Sequence, residues 1–188
     1  MTLELKKFDM RWITFKANEN KGPVIVMIGR RDTGKTYLVR DLLYHHQDIP
    51  IGTVISGTEA GNGFYAKHVP KLFIHEEYNT VLIENVLRRQ KAVLKQMNKD
   101  VEMYKKTTID PRTFVILDDC LYDQTWTRDK MMRLLFMNGR HWKVMLIITM
   151  QYPLGIPPNL RTNIDYVFIL REPYMTNRKR IWENYASM

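Results

Sequence analysis

Cysteine is nearly absent from this 188-residue sequence. Cys120 stands alone, which excludes an internal disulfide and fits a reducing compartment. Long apolar runs are missing too: the longest, such as residues 144–148, are far too short to cross a bilayer. The first sixteen residues carry Lys6, Lys7, Asp9 and Arg11, so they hold no uncharged signal-peptide core. Internal repeats and low-complexity tracts are also lacking. With 45% hydrophobic and 26% charged residues, the composition excludes disorder, collagen-like repetition and a disulfide-stapled miniprotein. Acidic residues are in deficit, 20 against 29 Lys and Arg, leaving a net charge of +9. That balance favours polyanionic partners such as nucleic acid or nucleotide phosphates. The expectation is a soluble intracellular protein: an N-terminal strand or extension over residues 1–22, then a single domain over residues 23–188.

What is present is a set of short, continuous apolar runs separated by helical patterns. Residues 24–28, 53–56, 114–117, 144–148 and 166–170 read as buried strands, with a further short strand at 72–74. Residues 8–15 alternate loosely and read as a strand or edge extension. Residues 36–46 and 129–138 read as helices, the second stopped by Gly139. Residues 79–106 read as one long amphipathic helix or a broken pair. Apolar runs alternating with helices predict an α/β fold, a three-layer αβα sandwich around a mostly parallel sheet.

The segment Gly29-Arg30-Arg31-Asp32-Thr33-Gly34-Lys35-Thr36 matches GxxxxGK[ST] in full. Glycines at these positions let backbone N–H groups curl around phosphate oxygens, and the following helix N-terminus adds its positive dipole end. Lys35 is placed to reach the β- and γ-phosphates of ATP and Thr36 to ligate Mg²⁺, with Tyr37 completing the nucleotide-binding stretch. Its position between a predicted strand and a predicted helix is the context that the motif requires. The run at 114–117 ends in Asp118-Asp119, a Walker B pattern that delivers carboxylates at a strand end. Asp118 is the candidate Mg²⁺ ligand and Asp119 the group that polarises the attacking water. Gln151, closing the strand at 144–148, is the candidate γ-phosphate sensor.

Two arginines stand apart. Arg140 precedes the strand at 144–148, so it projects from the sheet end opposite the phosphates. An arginine there serves catalysis only as a finger supplied to another subunit's nucleotide; the bland reading is a helix-capping surface residue. Arg161 is the competing finger candidate. The histidines at 45, 46, 68, 75 and 141 lack metal-site spacing, which argues against zinc. The basic segment 88–106 is either a non-specific nucleic-acid contact or a solvated helix face.

Taken in order, the phosphate loop, Ile116-Leu117-Asp118-Asp119-Cys120, Asn138-Gly139-Arg140-His141 and Thr149-Met150-Gln151-Tyr152-Pro153 resemble the DNA-packaging ATPases of nucleocytoplasmic large DNA viruses, the poxvirus-type branch of the FtsK–HerA superfamily. Residues 160–165 also fit that resemblance. It implies a RecA-like P-loop ATPase core that assembles as a pentameric or hexameric ring and translocates double-stranded DNA into a capsid, with capsid or portal components as further partners. Carried over, Lys35 and Thr36 bind phosphate and Mg²⁺, Asp118 supports Mg²⁺, Asp119 is catalytic, Gln151 is the sensor and Arg140 the finger. The setting implied is the host cytoplasm, at a virus factory, or the virion. One departure is that the second Walker B acid is Asp119 where the wider superfamily has Glu. Two alternatives stand beside this: a small-substrate P-loop kinase, with residues 171–180 as a basic lid, and a nucleotide-gated DNA-binding scaffold.

Overall fold

The computed structural model describes residues 6–15, 21–121, 124–152 and 155–186. Six strands form one sheet: β1 (Val24–Ile28), β2 (Ile51–Ser56), β3 (Ile74–His75), β4 (Thr113–Asp118), β5 (Val144–Met150) and β6 (Tyr166–Ile169). Their order is β3-β2-β4-β5-β1-β6 and every pairing is parallel. The fold is therefore the expected α/β sandwich, with a sheet parallel throughout.

Continuous apolar runs form these strands because both faces of the sheet are covered. Along β1, Val24, Val26 and Ile28 enter one core while Ile25 and Met27 enter the other. β4 divides likewise, Val115 and Leu117 against Phe114 and Ile116. Helix α1 (Lys35–Tyr44) covers one face with Val39, Leu42 and Leu43. The other face receives Ile83, Val86 and Leu87 of α3 (Thr80–Tyr104) and Met132, Leu135 and Phe136 of α4 (Lys130–Asn138). Each fully buried aliphatic side chain contributes about 1.5–3 kcal/mol. The short helices α2 (Glu59–Asn62), α5 (Pro158–Arg161) and α6 (Met175–Ile181) complete the set.

The segment 79–106 holds one unbroken helix, Thr80–Tyr104, rather than a pair. Asn79 caps it by accepting the Val81 N–H at 2.8 Å. Asp129, the N-cap of α4, also accepts the hydroxyls of Tyr78 and Thr80, so the two helices start together at the edge where the strands end. Gln90 then donates to the Pro111 and Trp142 carbonyls at 2.7 and 2.9 Å, both just ahead of strands β4 and β5. Helix α3 thus crosses the whole sheet within its first eleven residues.

Two local expectations are corrected and a third is met with a different geometry. Residues 8–15 are not a strand: Asp9 accepts the Arg11 N–H at 2.9 Å, which tightens Met10–Trp12 into a 3-10 turn. Met10, Ile13 and Phe15 of this segment still bury against the α1 face. The helix at 129–138 does end at Gly139, but without a left-handed cap: Gly139 keeps φ −52°, the chain tightens into a 3-10 turn, Gly139–Trp142, and turns at Lys143, where φ is 61°. The strand expected at 72–74 is a 3-10 turn, Lys71–Phe73, followed by the short β3. Residues 16–20 and Pro153, parts of the expected polar stretch and of the closing motif, lie outside the described residues.

Candidate nucleotide-binding site

The sheet register gathers the site. Ser56, Asp118 and Thr149 lie side by side at the ends of β2, β4 and β5, and Ile28 pairs with Met150. The phosphate loop leaves β1 from this row, its first N–H, Gly29, bonded to the Met150 carbonyl at 3.0 Å. A Cβ at Gly29 would fall 2.6 Å from Thr33 Oγ1 and 2.8 Å from Leu170 Cβ, so only glycine lets the loop pass beneath β6. Gly34 takes φ 98° and caps α1 with no side-chain bond, leaving the first helical N–H groups open for an anion. Asp32 also holds a positive φ, 59°.

Lys35 is buried, with 6% of its surface exposed. Its ammonium donates to the Gly29 and Arg30 carbonyls at 2.8 and 3.1 Å and lies 3.3 Å from the Asp119 carboxylate. Asp119 sits at φ 48°, a conformation that costs an L-residue energy and is retained mainly at functional positions. Its second contact is Gln151 Nε2, which donates to Oδ2 at 3.3 Å. Lys35, Asp119 and Gln151 therefore form a continuous row of contacts, with Asp119 in the middle, at the mouth of a cleft of about 500 Å³. Arg30, Arg31, Asp32, Thr36, Tyr37 and Asp118 help to line it.

Asp118 is held differently. Thr149 Oγ1 donates to its Oδ1 at 2.6 Å and Ser56 Oγ to its Oδ2 at 3.3 Å. The same Thr149 oxygen accepts the Asp119 N–H at 3.0 Å, so one hydroxyl fixes both acids. Beneath them Tyr65 is buried beside Asp118; burial first, then that carboxylate, pushes its phenol well above the usual range. Burial and the same carboxylate push the Cys120 thiol up to about 12, so it stays protonated at neutral pH. Thr36 hydroxyl and Asp118 carboxylate, hard oxygen donors in one cleft, suit Mg²⁺, which keeps several waters and needs few protein ligands.

Sequence reasoning missed Ser56 and Tyr65 and gave Thr149 no role. The only available signal was a hydroxyl residue closing an apolar run. It becomes meaningful once the register sets Ser56 and Thr149 on either side of Asp118.

The two finger candidates are not brought to this cleft. Arg140 lies across the sheet, where its Nη2 donates to the Asn163 carbonyl at 2.9 Å and to Asp165 Oδ2 at 3.0 Å. That carboxylate oxygen also accepts the Val24 N–H at 2.9 Å, tying the starts of β1 and β6 together. The length of β1, about 16 Å, separates this clamp from the phosphate loop. Arg161 is engaged as well, donating to Asn184 and lying over the Tyr185 ring at 5.6 Å. Among the described residues no cluster of three or more His, Cys, Asp or Glu is arranged for a metal, and no helix is long and apolar enough to cross a membrane.

Known proteins resemble this chain along most of its length. A protein of Acanthamoeba polyphaga mimivirus is 39% identical over 187 residues, which is 98% of this chain and 63% of the mimivirus protein. A protein of Invertebrate iridescent virus 6 is 39% identical over 188 residues, covering 98% of this chain and 69% of the relative. The chain thus spans somewhat under two thirds of the mimivirus protein's length. Among solved structures, the genome packaging NTPase B204 of Sulfolobus turreted icosahedral virus 2, in complex with AMP, superposes with a TM-score of 0.61. Identity is 18%, with 88% of this chain and 83% of that one covered. The pCW3 conjugation coupling protein TcpA with ATPγS gives a TM-score of 0.65 at 16% identity, over 87% and 53% of the two chains. At such identities these two likenesses establish the shared fold alone. The model of the Poxvirus A32 protein family matches residues 14–176, so with relatives this similar in other large DNA viruses the chain belongs to that family.

Proposed function

We propose that the chain is the ATP-hydrolysing subunit of a motor that translocates double-stranded DNA and packages a viral genome into its capsid. The observation that carries this reading is the convergence of Lys35, Asp118, Asp119 and Gln151 on one cleft at the phosphate loop. Family membership supports the DNA-packaging part of the reading.

In this mechanism, Thr36 and Asp118 hold Mg²⁺, with Thr149 and Ser56 fixing the carboxylate so that it need not reorganise. Bound Mg²⁺ supplies charge neutralisation for the transferring phosphoryl group. Lys35 is held on loop carbonyls and Asp119 and exchanges that ion pair for the β- and γ-phosphates. The exchange frees Asp119 to accept a proton from the attacking water, while Gln151, already bonded to Asp119, orients that water. The open N–H groups of α1 and Lys35 stabilise charge that develops in the transition state.

An assembly of copies, as a ring, supplies the remaining parts of the reading. The Arg140–Asp165 pair supports a structural role for Arg140 within its own chain. For Arg140 to act as a finger in trans, subunit contact must release it from Asp165. The virus factory or virion is the setting that this function requires, with capsid or portal components as partners.

Steady-state ATP hydrolysis measured with and without duplex DNA, across protein concentration, tests the proposal. Activity that needs Mg²⁺, rises with DNA and rises faster than linearly with protein is expected. Turnover proportional to protein and indifferent to DNA would sink the motor and favour a small-substrate kinase. Duplex binding without any turnover would favour the nucleotide-gated scaffold.

A further inference from the structure

Helix α3 is 25 residues long, yet its buried residues, Ile83, Val86, Leu87 and Gln90, all lie in its first eleven. At Gln90 the helix has already reached the edge where β4 and β5 begin. Residues 91–104 therefore continue past the sheet by about 21 Å, on the side away from the nucleotide cleft. Over these fourteen residues no side chain is fully buried, and Val101, Met103 and Tyr104 are openly exposed. Such a projection gains little from the core and costs ordering entropy, which calls for a partner.

Its charge says which chemistry that partner has. Residues 91–106, the arm and the two residues after it, hold five cations and two acids, three of the nine net positive charges of the chain. Lys91, Lys95 and Lys99 recur at four-residue spacing, so they share one helical face, and all three are exposed. Lys91 packs over the Trp142 ring at 4.7 Å, where the arm leaves the body. Among the described residues Lys95 and Lys99 make no ion pair, whereas Asp100 accepts from Gln96 and Thr107. Lys95 and Lys99 thus face outward unneutralised while one of the two acids is tied into the arm and the turn that follows it.

We infer that the distal half of α3 is the arm that grips DNA, with Lys91, Lys95 and Lys99 contacting the phosphate backbone without reading sequence. The inference rests on the reading of the chain as a DNA motor. It places the track contact at the sheet edge opposite the hydrolysis site, so that the helix joins the two ends of the fold.

The test is duplex binding by the full chain, titrated with salt, for the wild type and for Lys91→Gln/Lys95→Gln/Lys99→Gln. Each phosphate contact contributes about 0.9 to the slope of log K against log salt. The triple variant is therefore expected to have a slope shallower by about 2.7 and to lose about tenfold or more in affinity at 0.1 M salt. A second variant, Lys95→Glu/Lys99→Glu, changes only exposed positions away from Trp142 and should bind more weakly still. Hydrolysis without DNA should remain at the wild-type level in both, showing the fold and cleft intact. If the wild type binds duplex and both variants match its affinity and slope, the arm is not the grip and its face serves a protein partner instead. If the wild type does not bind duplex with nucleotide present, the motor reading itself fails.

Discussion

The two edges of the sheet are built on opposite principles. Where the strands end, polar groups are dense, partly buried and mutually engaged: Lys35 against Asp119, Thr149 against both acids, and two aspartates at positive φ. Where the strands begin, charges are spread out. Arg140 clamps Asp165 and Val24, and the α3 arm carries its lysines into solvent. The first edge concentrates interaction energy on a small volume, as chemistry needs; the second holds the strands together and offers area. A parallel sheet makes this division natural, because all strand ends, with their loops and helix N-termini, lie on one side.

The comparison is sharpened most strongly at the cleft. Lys35→Ala removes the only cation buried in it, and hydrolysis is expected to fall by about 10²–10³-fold or more, read as kcat in a coupled assay. Asp119→Asn should lower kcat by about 10²–10⁴-fold while nucleotide binding, followed by fluorescence titration, is retained. Equal losses of binding and turnover would mean that Asp119 holds the ligand rather than acting on water.

Thr149→Val keeps shape but deletes the hydroxyl that spans Asp118 and the Asp119 N–H. A stability loss of about 1–3 kcal/mol is expected from chemical denaturation, together with weaker Mg²⁺-dependent nucleotide binding. Unchanged Mg²⁺ dependence would show that Asp118 needs no such support.

At the opposite edge, Arg140→Ala should act on stability instead. Its partly buried partner Asp165 is left uncompensated, for a loss of about 2–3 kcal/mol. Nucleotide affinity of the isolated chain should not change, and a tenfold affinity loss would break the proposed division between the edges.

The smallest expected effect, about 1.4 kcal/mol between pH 8 and pH 10, is the alkaline response of Cys120. Its folded thiol pKa, about 12, lies above the ordinary value of 9.0. The protonated thiol therefore contributes fully below pH 9, and that contribution is lost as pH rises from 9 towards 12. The loss is about 1.4 kcal/mol per unit, because the unfolded chain ionises first. Comparing Cys120→Ala with the wild type between pH 8 and pH 10 isolates this slope.

Much of the nucleotide cleft was legible because its signals are local. The GxxxxGK[ST] spacing, the apolar run ending in two acids and the strand ending near Gln151 each fit within a few consecutive residues. The α/β alternation was equally local, since burial on both faces writes itself as an unbroken apolar run. Where reading failed, a single hydrogen bond or a distant contact decided the outcome. Asp9 turns a loosely alternating segment into a 3-10 turn, and nothing in that segment announces that its side chain will accept the Arg11 N–H. Ser56 and Thr149 were passed over because their partner, Asp118, is up to 62 residues away in the chain.

By itself, then, the amino-acid sequence determined the five longer strands, the helical character of residues 79–106 and the GxxxxGK[ST] motif between β1 and α1, through periodicity and short-range spacing. The tertiary structure alone decided which hydroxyls fix the acids, that Lys35 rests on Asp119, that Arg140 clamps the far edge, and that α3 outruns the sheet. Those outcomes depend on strand order and register, which follow from how two cores pack against one sheet rather than from any local pattern.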